Sequence, residues 1–151
     1  MNRLEVLDHL IKTCVDSAER YRRAAADVSE EKFVQFFKQQ ESARRFHADK
    51  LNTERKCLGG SAEKPAHEAG SLNGFIDRIA MDVNVAMSMG ETGVIGWCRD
   101  DAREVIAEYE RALKQNYPEP TRAILERQLE QNRATLASLD KVLNSYGGPR
   151  S

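Results

Sequence analysis

Proline is scarce in this chain, with four in 151 residues, and two of those stand together in Tyr117-Pro118-Glu119-Pro120. Long stretches can therefore run as uninterrupted helix, because the residue that removes a ladder donor is missing from them. Cysteine is also scarce. Cys14, Cys57 and Cys98 make an odd count with no CxxC spacing, which excludes a disulfide framework and a zinc knuckle. Cys14 and Cys98 fall at apolar helical positions and read as small buried hydrophobes in a reducing compartment, so the expected location is the cytoplasm. A thiol-redox role would rest mainly on Cys57, near a helix end. No apolar run approaches the roughly 20 residues of a membrane helix, and no apolar block of a secretory signal opens the sequence. Charge of one sign is lacking too. A net charge of −1 gives no reason to expect nucleic acid or an anionic membrane as partner. Strand-like alternation is absent, as are a nucleophile elbow and an EF-hand loop. Gly90-x-x-Gly93-x-x-Gly96 has neither the strand before it nor the lysine after it that a phosphate loop requires.

What the sequence has is helical periodicity. Leu4, Leu7, Ile11, Cys14, Ala18, Tyr21, Ala25 and Val28 recur in steps of three and four. Leu125, Leu129, Asn132, Leu136, Leu139, Leu143 and Tyr146 repeat the pattern near the C-terminus. Such stripes hold one side of each helix against partner helices. The apolar fraction of 40% and charged fraction of 31% suit one domain of amphipathic helices over residues 1–151. Four long helices are predicted at about 2–26, 30–58, 92–116 and 121–146. Asn2 caps the first, Ser29 and its neighbours cap the second, and Gly59-Gly60 end the second. Residues 59–70 read as a surface loop, and Ser71 caps a shorter helix over 72–89. The fold class is all-α. The layout matches a ferritin-like four-helix bundle, two hairpins joined by a crossover that holds the shorter fifth helix.

A dimetal centre in such a bundle needs inward Glu residues and Glu-x-x-His pairs. The histidines are His9, His47 and His67, and the residues three before them are Val6, Arg44 and Lys64. Helical phase places Asp16, Glu126 and Glu130 outward, so no metal ligands and no cofactor are expected. The inward direction of the second helix, set by Phe33, Phe36, Phe37, Leu51 and Leu58, passes instead through Gln40, Arg44 and His47. With Tyr21, Asp101 and Asn132 these form an expected buried polar network, in which Asp101 is the natural partner of Arg44. Tyr21 and Tyr109 are expected to be core residues whose hydroxyls find polar neighbours. The network has three readings: a device that fixes helix register, an altered ligand or metal site, or an acid–base pair of Asp101 with His47. No catalytic residue is assigned. On the shorter helix, Met81, Val85 and Met89 form a second apolar side opposite Leu72, Phe75, Ile76, Ile79 and Val83. That surplus predicts a homo-oligomer through the 72–89 helix, or a protein partner held there.

Short segments carry a resemblance. Cys14-Val15-Asp16, Ala24 to Val28, Leu58-Gly59-Gly60, Ala69 to Leu72 and Tyr109 to Leu113, spread from Asn2 to Leu143, resemble a bacterial family of ferritin-like four-helix proteins without an established biochemical role. The resemblance implies a ferritin-like fold and the company of stress physiology. The expected function is a non-catalytic structural or binding protein without a standard di-iron site. The alternative is a metal-binding oxidoreductase or storage protein built on Glu41, His47, Asp101 and Glu108.

Overall fold

The computed structural model describes residues 2–59 and 90–147. They form four helices, α1 (Arg3–Asp27), α2 (Glu31–Cys57), α3 (Gly90–Ala112) and α4 (Glu119–Gly147), and no strand occurs among the described residues. The predicted helix over 72–89, with Met81, Val85 and Met89, lies outside the described residues.

The ends of the helices follow their local chemistry. Asn2 caps α1 by accepting from the Glu5 N–H at 2.9 Å, while the Glu5 carboxylate accepts from the Asn2 N–H at 2.9 Å. This reciprocal box satisfies two donors that the first turn leaves open. Gly59 ends α2 at φ +97°, the left-handed region in which a side chain would be strained. The start of α2 departs from expectation, since neither Ser29 nor Glu30 caps it with its own side chain. The Glu91 carboxylate, at the start of α3, accepts from the Ser29 N–H at 2.7 Å and from the Glu30 N–H at 3.1 Å. It places negative charge at the positive end of the α2 dipole. Helix α3 starts at Gly90 and stops at Ala112, earlier at both ends than predicted, and turn residues follow it. Helix α4 takes in Pro120, because a proline in the first turn breaks no intrahelical bond.

Cross-helix bonds fix the directions. Helix α1 runs antiparallel to α3: Arg3 reaches the Asn116 carbonyl at one end, Ser17 meets Asp101 midway, and Ser29 meets Glu91 at the other. Helix α2 runs antiparallel to α4, with Thr121 on Glu54 and Thr135 on Gln40. The hairpins α1–α2 and α3–α4 are antiparallel through their short turns. The order is up, down, down, up, so Cys57 and Gly90 stand at opposite ends of the bundle.

The core comes in two apolar parts. One gathers Leu7, Leu10, Ile11, Leu51, Tyr109 and Leu125, and the other gathers Tyr21, Phe33, Phe37, Ile95, Cys98 and Leu139. Each fully buried Leu or Phe contributes about 1.5–3 kcal/mol. Between these two parts lies a polar layer.

Candidate functional site

Helix α2 has the weakest apolar patterning of the four helices, and the reason lies at its centre. Counting on from Phe33 and Phe37 at helical spacing, the inward line meets Gln40, Arg44 and His47 before it returns to Leu51. Arg44 is 1% exposed. Its Nη1 donates to Gln40 Oε1 at 2.6 Å, and its guanidinium carbon sits 5.1 Å from the centre of the Tyr21 ring. Thr135 Oγ1 on α4 also donates to Gln40 Oε1, at 2.8 Å, so the amide ties α2 to α4 and steadies Arg44 at once. Nε and Nη2 of Arg44 have no hydrogen-bond partner. Neither do the Tyr21 hydroxyl, Oδ1 of Asn132 or Nδ1 of His47. Among the described residues no carboxylate stands at ion-pair distance from Arg44.

The expected pairing of Arg44 with Asp101 is therefore corrected. Asp101 is buried, but its Oδ1 accepts from Arg20 at 2.6 Å and its Oδ2 from Ser17 at 2.7 Å. The outward placement of Asp16 is corrected as well. Asp16 is 2% exposed and accepts from Lys12 at 3.0 Å. Both errors have one cause. Helix α1 packs against α2 on one side and α3 on the other, so its buried arc exceeds half the circumference and takes in positions 16 and 20. Tyr109 meets its expectation, donating to Gln128 Oε1 at 2.6 Å beside Cys14 Sγ at 3.2 Å. Tyr21 does not, because its hydroxyl is left without a partner.

The layer thus brings together Tyr21, Gln40, Arg44 and Asn132, with Thr135 and Gln128 added from α4. Asn132, fully buried, donates through Nδ2 to the Gln128 carbonyl at 2.8 Å. His47 is buried at the α2–α4 seam and bonds Gln131 Oε1 through Nε2 at 2.6 Å. Asp101 bonds Ser17 and Arg20 on α1 while His47 bonds Gln131 on α4, so the two are not paired with each other. Gln128 and Thr135 were legible in principle, since they continue the Leu125, Leu129, Asn132, Leu139 stripe at helical spacing. Ser17 likewise falls between Cys14 and Tyr21. Arg20 had no such signal.

Burial governs the ionisation of the layer. It pushes the Cys14 thiol up to about 11 and those of Cys98 and the Tyr21 and Tyr109 hydroxyls well above their ordinary values. These groups stay protonated near neutrality and supply no nucleophile. Burial lowers His47 to about 4, so the imidazole is neutral. Asp101 is raised by burial, against the opposing pull of Arg20 and Ser17. Glu41, His47, Asp101 and Glu108 do not converge. Glu41 pairs with Arg45, while Glu108 pairs with His9 and Arg111. No three His, Cys, Asp or Glu side chains among the described residues come close enough to share a metal ion.

A cleft of about 380 Å³ between α2 and α4 leads to the layer, and Gln40, Arg44, His47 and Thr135 line it. Small side chains, Ala43 and Ala134, hold its walls apart, and Phe46 stands at its mouth 61% exposed. No helix among the described residues is long and apolar enough to cross a membrane.

Among the described residues, four helices with a buried cation and no acidic quartet define the class, an all-α helical bundle. The chain belongs to the family described as Domain of unknown function (DUF2383), whose model matches residues 2–115. That span takes in α1, α2 and α3. No curated protein matches the chain.

Proposed function

We propose that this protein is a ferritin-like bundle without catalytic chemistry, serving as a structural or binding protein whose centre carries a fixed positive charge where dimetal bundles carry carboxylates. The up, down, down, up order supports the ferritin-like reading, because two hairpins joined end to end across the bundle have that order. The observation that carries the function is Arg44, fully buried and facing no carboxylate at ion-pair distance among the described residues. A divalent ion about 5 Å from a guanidinium meets repulsion on the order of 6 kcal/mol at an effective dielectric near 20. Inward carboxylates would have to overcome that repulsion, and Asp101 is already engaged by Arg20. The protonated thiols and tyrosines and the neutral His47 offer no redox or acid–base pair in their place. The two buried free cysteines support a cytoplasmic setting. Self-association is carried by Met81, Val85 and Met89 on the sequence argument alone.

Metal content decides the central claim. Protein expressed with added iron or manganese, and purified without chelator, is expected to hold well under one ion per chain. About two ions per chain, located between the helices by anomalous scattering, would overturn the reading.

A further inference from the structure

Lys12 pairs with Asp16 at 3.0 Å and Arg20 with Asp101 at 2.6 Å and Glu104 at 3.2 Å, whereas Arg44, 1% exposed, has no carboxylate at ion-pair distance among the described residues. A buried charge without a counter-charge costs several kcal/mol, and water can satisfy hydrogen bonds but cannot supply the missing charge. The direction of the open donors is informative. Nη1 is taken by Gln40, and the atoms without partners are Nε and Nη2. Those two form the side-on edge of the guanidinium, whose parallel N–H groups match the two oxygens of a carboxylate. Beside them stands Tyr21, whose ring lies 5.1 Å from the guanidinium carbon and whose hydroxyl, also without a partner, can donate to a ligand. The α2–α4 cleft supplies the approach.

We propose that the bundle centre binds a small monovalent carboxylate, held bidentately by Nε and Nη2 of Arg44 and reached through the α2–α4 cleft. This rests on the reading of Arg44 as the charge at the bundle centre. The two can fail separately, since metal content tests that reading and anion binding tests this one. The acid must be short, because Arg44 is 1% exposed and the Tyr21 ring lies 5.1 Å from its guanidinium carbon. A single negative charge suffices, because the site presents one guanidinium.

The test uses the full chain and two sodium salts, formate and chloride, at equal ionic strength. Formate about tenfold above its Kd should raise Tm by about 3–6 °C over chloride, and the rise should saturate. Labelled [¹³C]formate should broaden in NMR spectra on adding protein. Arg44→Met should fold, because it replaces an unbalanced buried cation with a side chain of similar length, and should lose both responses. Arg44→Lys keeps the charge but not the fork, and its formate response should drop to the chloride level. It also serves as the readout if Arg44→Met fails to fold. Equal responses to formate and chloride, or a formate response that survives both substitutions, would overturn the proposal. So would the absence of any saturable effect in the native protein.

Discussion

Asp101 and His47 are both buried, yet burial acts on them with opposite sign. Asp101 holds Arg20 and Ser17 across the α1–α3 seam. Asp101→Ala removes the buried carboxylate from Arg20, which is 7% exposed and also meets the solvent-facing Glu104. The cost should be about 3 kcal/mol in denaturant unfolding, while Arg20→Met with Asp101→Leu should be nearly neutral. A loss under about 0.5 kcal/mol for the single change would show that the pair contributes no more than a surface contact. His47 is neutral when folded because burial lowers it to about 4, against 6.5 for a free imidazole. Its contribution to stability is therefore complete above pH 6.5 and is lost as pH falls toward 4. Raised values at Asp16 and Asp101 act in the other sense, since folding then favours the protonated acid. A comparison of variants isolates the histidine. His47→Gln should lose less stability than the native protein between pH 6.5 and 4, by up to roughly 3 kcal/mol. Parallel stability curves for the two proteins would mean that His47 titrates freely.

At the scale of the helix, caps and periodicity were legible, while burial around α1 was not. Asn2 and Gly59 end their helices where the residue types require, because capping is a local property. The depth of Gln40, Arg44 and Asn132 could be read because each lies on a stripe with one main direction. Asp16 and Arg20 could not, since their burial comes from α3, which a single-helix phase does not contain. The partner of Arg44 was unreadable for the same reason: choosing between Asp101 and Gln40 needs the distance between helices. The Glu91 cap belongs here too, since it joins residues 62 apart in sequence. Glu91→Ala removes the acceptor for the Ser29 and Glu30 N–H groups and should cost about 1 kcal/mol, as lost caps do. Those bonds hold the Glu91 carboxyl below its usual range, the Ser29 N–H most of all. The stabilisation is present above pH 4.5 and fades as pH falls below it, so native and variant stabilities should converge in acid. Equal hydrogen exchange at the start of α2 in the two proteins at pH 7 would show that the cap is idle.

Across the whole molecule, the polar layer divides what could have been one continuous apolar core. Tyr21, Arg44 and Asn132 all leave buried polar atoms without partners there. Each such atom costs about 1–3 kcal/mol, so stability alone does not explain the arrangement. Two uses remain, fixing the register of the helices or holding a guest, and they separate experimentally. Tyr21→Phe, Arg44→Met and Asn132→Leu together remove the open atoms and join the two apolar parts. The triple variant should stay helical and gain at least about 2 kcal/mol, raising Tm by roughly 4–8 °C for a chain of this size. If the layer fixes register, the gain comes with a loss of uniqueness, because apolar stripes without polar markers pack in several ways. Amide spectra would then broaden while far-ultraviolet circular dichroism holds. If the layer exists for a guest, the variant remains a single, sharply resolved species that no longer responds to formate. A variant less stable than the native protein would defeat both accounts, since it would show that the open groups are satisfied in solution by partners worth more than an apolar core.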